Sequence, residues 1–148
     1  MRTVVAVFLL LPALLLVGSP ACAADWMVLA GTDDGMAWLD RASIREQSPG
    51  VWIAWQKFSF TKAKRNSPSG RAYRSILQLS GFQCDRGTMA RLQYLDYSLA
   101  DGEGDIVANV TIQTPSWQYP PPDSVGETVL AEVCKLVSGA APTAASQQ

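Results

Sequence analysis

The chain has 148 residues, 12 basic against 13 acidic side chains, a formal net charge of −1 and no histidine. Such a balance argues against nucleic acid as the main partner, because phosphate recognition draws on a strongly basic face. The missing imidazole removes the commonest general base near neutral pH and the commonest metal ligand.

The first elements form a secretion signal. Arg2 supplies a positive start, Val4 to Val17 is an apolar run containing Pro12, and Gly18-Ser19-Pro20 breaks it. Ala21-Cys22-Ala23-Ala24 then offers small residues for cleavage, which predicts a signal peptide over residues 1–24. The run is shorter than the roughly 20 apolar residues of a spanning helix, so the protein is not expected to be integral to a membrane. Two alternatives stay open: an uncleaved N-terminal anchor, and lipidation of Cys22, although Ser19 stands where lipoprotein signals usually carry Leu. Cleavage removes a single charge, Arg2, and leaves a net charge of −2. The remaining 124 residues suffice for one domain with a core, placed at residues 25–137.

That domain reads as strands followed by one helix. Trp26–Ala30 and Met36–Leu39 are two strands around the turn Gly31–Gly35, which predicts a hairpin. Asp40 to Glu46 is a short polar stretch with room for a helical turn. Val51 to Thr61 is rich in aromatic and β-branched residues on both faces, which predicts a central strand. Lys62 to Gly70 reads as a basic, polar loop. Tyr73 to Cys84 and Met89 to Leu99 are two longer strands joined by Asp85-Arg86-Gly87. In the last strand, Ile106, Ala108, Val110 and Ile112 share one face and Val107, Asn109, Thr111 and Gln113 the other, an alternation expected of an antiparallel sheet with one wet face.

Pro115 to Asp123 cannot continue a strand, because successive prolines remove ladder donors. Ser124 and Glu127 have capping-box spacing, which predicts a helix start. Val125, Val129, Leu130, Val133, Cys134 and Val137 follow on one helical stripe, so Cys134 is expected to point inward. On its strand Cys84 shares parity with Phe82 and Ile76. The predicted fold is therefore α+β: an antiparallel β-sheet of about six strands, with a C-terminal α-helix on one face. Residues 138–148 are small and polar and read as a disordered tail.

Removal of Cys22 with the signal leaves an even pair, Cys84 and Cys134. In an exported protein such a pair is most often a disulfide, which would tie helix to sheet; the alternative is two buried free thiols. With both cysteines oxidised, thiol nucleophiles and cysteine zinc sites are gone. No Lys or carboxylate spacing suggests serine hydrolysis, so the reading is no enzyme, no metal and no cofactor. Asp101-Gly102-Glu103-Gly104-Asp105 fails as a calcium loop, because Ile106 and Ile112 stand where Gly and Glu are needed. Asn109-Val110-Thr111 fits a glycosylation sequon but lies in a strand behind a bacterial-looking signal.

Two features are candidates for binding. Lys62, Lys64 and Arg65, with Arg71 and Arg74 close behind, form the strongest charge cluster and suit acidic partners such as polyanionic glycans; a solvated loop is the plainer alternative. Of the five tryptophans, 26, 38, 52 and 55 lie in predicted strands and read as packing. Trp117, in the proline-rich segment, is the one expected to be exposed and available for recognition.

Trp26, Leu39-Asp40, Ser43-Ile44-Arg45, Phe82-x-Cys84, Trp117, Pro122-x-Ser124-Val125-Gly126-Glu127 and Val133-Cys134 together resemble the surface-adhesin protein E-like family of exported bacterial proteins. The resemblance spans Trp26 to Cys134 and is carried mainly by the last block with its cysteine. It implies an antiparallel sheet with a C-terminal helix held by a disulfide. It also implies an adhesin-like role at the cell surface or in the periplasm, with host matrix or serum proteins, such as laminin and vitronectin, as the partners of the family's adhesin. The shared positions are structural, so no binding residue is carried over. A structural or envelope-assembly role in the periplasm is the other reading, and a homodimer is left open.

Overall fold

A computed structural model describes residues 23–66 and 69–139. The predicted signal peptide with Cys22, and the predicted tail from residue 140 onward, lie outside the described residues.

The strands are β1 (Trp26–Thr32), β2 (Gly35–Asp40), β3 (Arg45–Ser48), β4 (Val51–Arg65), β5 (Ala72–Gln83), β6 (Thr88–Tyr97) and β7 (Ile106–Thr111), followed by α1 (Val125–Gly139). All strand pairs are antiparallel, in the order β1-β2-β4-β5-β6-β7, with β3 also pairing with β4. The expected hairpin is present: Thr32 pairs with Gly35 across Asp33-Asp34. Gly35 has φ of 152°, and a Cβ there would overlap the Ser59 carbonyl of the adjacent strand, so only glycine fits.

The polar stretch after β2 is a single 3-10 turn, Arg41–Ser43, held by side chains. The Asp40 carboxylate accepts from the Asp25 and Ala42 amides at 2.8 and 3.1 Å. The Ser43 hydroxyl donates to the Asp40 carbonyl and accepts from the Trp55 amide. Leu39-Asp40 and Ser43-Ile44 therefore serve as a folding corner that lets β3 begin at Arg45.

The core lies between α1 and one face of the sheet. Leu39, Ala54 and Phe82 from β2, β4 and β5 meet Val129, Leu130 and Val133 of α1, with Trp52, Met89 and Cys134 packed around them. Cys84 and Cys134 form a disulfide with a Cα–Cα distance of 5.4 Å, fastening α1 to the end of β5. The Ser124 hydroxyl accepts from the Glu127 amide at 3.2 Å, as the capping spacing predicts. The reciprocal contact falls one residue early: the Glu127 carboxylate accepts from the Asp123 amide at 2.7 Å. The helix continues through Ser138 and Gly139, two residues into the segment read as tail; the Ser138 hydroxyl donates back to the Cys134 carbonyl.

Two strands depart from simple alternation. β4 runs on to Arg65 rather than ending at Thr61, because beyond Ser59 it pairs again with β5. Between the pairs Ser59–Ser75 and Lys64–Tyr73, β4 takes five steps where β5 takes two, so the extra residues bulge outward. In β7, Val107 is buried while Ile106 and Val110 are 49% and 37% exposed. The register slips between Asp96–Ala108 and Tyr97–Ile106, so Val107 is the extra residue of a bulge, and the alternation expected from Ile106 onward holds only from Ala108.

Candidate functional site

The basic cluster sits on the far half of the β4–β5 hairpin. Lys62, Lys64 and Arg65 belong to β4 and not to a loop; Arg74 is on β5, and Arg71 lies just before it. Asn66 closes the hairpin: its side-chain amide donates to the buried Asp96 carboxylate at 2.8 Å and its carbonyl oxygen accepts from the Ser69 amide. Phe60 and Tyr73 pack edge-on beneath, with ring centroids 5.9 Å apart.

The five cations are not equivalent. Lys64 is 3.4 Å from the Asp34 carboxylate and lies over the Phe60 ring, so its charge is largely answered. Arg65 donates to the Gly70 carbonyl, Arg71 to the Ile106 carbonyl, and Arg74 to the Phe60 and Thr61 carbonyls. These contacts orient the guanidinium groups without neutralising them. Lys62 is exposed. Among the described residues, Lys62, Arg65, Arg71 and Arg74 have no carboxylate within ion-pair distance.

Trp117 does not join this cluster. It is 36% exposed and lies across the sheet face opposite α1, where its ring covers Gly81 beside Leu92. A Cβ on residue 81 would come within 2.8 Å of that ring, so the glycine makes the seat for the tryptophan. Gly81 is seven residues from Arg74 along β5, or about 23 Å at the usual strand rise. On that same face the Lys57 ammonium lies between the Trp26 and Trp38 rings, 5.1 and 4.7 Å from their centroids, with Asp101 3.7 Å away. Two of the tryptophans read as packing thus hold a cation. Only cross-strand pairing reveals this, since Trp38 stands directly opposite Lys57.

A groove on the helix side has no signal in the sequence. It has a volume of about 740 Å³ and runs between β6, the segment 112–121 and the start of α1. Arg91 is its single charged lining residue, and Tyr119, 75% exposed, stands on its wall. Arg91 points to this face because it pairs with Ser80, in step with Met89 opposite Phe82; past Arg91 the register shifts. Among the described residues, no group of three or more carboxylate or cysteine side chains could hold a metal ion, and no helix is long and apolar enough to cross a membrane.

Two crystal structures of Haemophilus influenzae protein E share the fold. Crystal form II aligns with a TM-score of 0.60 at 18% identity, covering 85% of this chain and 99% of that one. The protein E structure from a non-typeable strain aligns at 0.58 and 18% identity, covering 82% and 84% of the two chains. No curated protein matches the sequence. The sequence model of the family described as surface-adhesin protein E matches residues 26–135, which takes in every strand and the helix as far as Lys135. The chain therefore belongs to the surface-adhesin protein E family.

Proposed function

We propose that this chain is an exported, adhesin-like binding protein without catalysis, and that it holds an acidic macromolecular partner through the β4–β5 hairpin. The observation that carries the reading is the set Lys62, Arg65, Arg71 and Arg74: four cations without a carboxylate partner among the described residues, on one hairpin of a slightly acidic protein. Family membership supports the adhesin-like role. Host matrix or serum proteins with acidic segments, and polyanionic glycans, are the partners that suit such a surface. Their attraction acts over about 8 Å at physiological salt and is expected to speed association more than it strengthens the final complex.

The test is binding of heparin and of laminin to the wild type and to the triple variant Lys62→Ser, Lys64→Ser, Arg65→Ser, each at two salt concentrations. The expected result is slower, less salt-sensitive association by the variant, with the fold retained by circular dichroism. Equal, salt-insensitive binding by both forms would reject the hairpin. Protease treatment of intact cells reports location: protection, with release by osmotic shock alone, would remove the surface role in favour of a periplasmic one.

A further inference from the structure

The groove beside Arg91 shares no lining residue with the basic cluster, and three observations give it a character of its own. First, its volume of about 740 Å³ lies within the usual range for ligand sites, roughly 300–1,000 Å³. Met89, Ile112, Pro120, Pro121 and Val125 give it apolar walls. Second, Arg91 is the one charged residue in the lining and is exposed. Among the described residues its side chain forms no ion pair and no hydrogen bond; its guanidinium lies 5.2 Å from the Tyr94 ring centroid. An arginine stacked on an aromatic ring keeps its planar fork free for a carboxylate. No carboxylate lines the groove to oppose an incoming one.

Third, the chain along one side of the groove has unused backbone. β7 ends at Thr111, and the last bond of this edge runs from the Ile112 amide to the Leu92 carbonyl at 2.8 Å. The next contact is the Met89–Gln118 bridge, in which each residue's amide donates to the other's carbonyl at 3.0 Å. Between them, the backbone groups of residues 113–117 have no hydrogen-bond partner among the described residues. Thr114 and Ser116 of that stretch line the groove.

We propose that this groove is a peptide-binding site. It takes an extended segment of a partner protein, with apolar residues along the walls, main-chain bonds to residues 113–117, and an aspartate or glutamate on Arg91. Unpaired backbone beside an apolar channel selects an extended peptide, because main-chain bonds supply affinity while pockets for alternate side chains supply specificity. The lone cation sets the sign of the charge that the segment must carry.

The test uses two pools of seven-residue peptides, randomised over Val, Thr, Ser and Ala at six positions and fixed as Glu or Gln at the centre. Each is titrated into the isotope-labelled chain and followed by backbone amide NMR. The Glu pool is expected to shift the Gln118, Ile112 and Arg91 amides saturably, to slow exchange of the residue 113, 114, 116 and 117 amides, and to bind at least ten-fold more tightly than the Gln pool. Arg91→Gln is expected to abolish that preference, and the triple hairpin variant to keep it. Shifts confined to residues 62–74, absence of saturable shifts, or the same preference in Arg91→Gln would each overturn the proposal. Loss of the preference in the hairpin variant alone would assign it to the hairpin and leave that reading standing.

Discussion

Replacing both Cys84 and Cys134 with Ala tests how far the fold depends on its single cross-link. The bond joins residues 50 apart, so it closes a loop that contains β6, β7, the proline segment and most of α1. In the chain-entropy model a loop of that length removes about 14 cal/mol/K from the unfolded state, or about 4 kcal/mol at 25 °C. That is a large share of the 5–15 kcal/mol that typically separates folded from unfolded domains. The helix has a second hold on the sheet. Val129 and Val133 are fully buried and Leu130 is 9% exposed, and three such side chains contribute about 5–9 kcal/mol at 1.5–3 kcal/mol each. The double variant is therefore expected to keep α1 docked and to lose stability as one unit. At a urea slope of about 1.5 kcal/mol/M its midpoint falls by about 2.5–3 M, with tryptophan fluorescence and far-ultraviolet circular dichroism moving together. A shift below about 0.5 M would refute the entropy argument. Helical signal lost well before fluorescence would refute the docking argument, since the bond would then be what keeps the helix in place.

Three further outcomes are expected. Ser124→Ala removes the hydroxyl that accepts from the Glu127 amide and lowers stability by about 1 kcal/mol in urea titration; an unchanged midpoint would mean that the cap contributes nothing. Gly81→Ala pushes the Trp117 ring off the sheet face, which red-shifts and quenches tryptophan emission while the fold persists, because the colliding atom is the far end of a side chain. Burial and the nearby Asp96 charge raise the Tyr73 phenol above its ordinary value. A raised folded-state value means that the folded form holds its proton longer, so this residue's contribution is present below about pH 10 and declines as pH rises through and above it. Tyr73→Phe is expected to flatten the alkaline loss of stability, and an identical alkaline profile would contradict that cause.

Several elements were legible because their determinants are local. The helix start follows from Ser124 and Glu127, and its buried stripe from the spacing of Val129, Leu130 and Val133; both depend only on residues within a turn or two of each other. The Cys84–Cys134 pairing follows from an even count in a chain whose sequence reads as exported and from strand and helix parity. The segment from Pro115 onward reads as non-strand because a missing amide breaks a ladder, and β7 ends before it, at Thr111.

What the tertiary structure decided is which surfaces meet. The extension of β4 through Lys62, Lys64 and Arg65 depends on β5 offering Tyr73 and Ala72 as partners, so residues that look like a loop in isolation become strand. The slipped register of β7 buries Val107 and turns its neighbour Ile106 to solvent, an exchange that alternation alone does not assign. Trp117 finds Gly81 across a distance in sequence that no periodicity spans, and Arg91 comes to line a groove only because the chain from Ile112 to Pro121 wraps the edge of β6 on its way to α1. Local sequence sets how each segment can hydrogen-bond and which of its sides is apolar. Which side is covered depends on register and on the path of distant segments, and these are settled only when the whole chain packs.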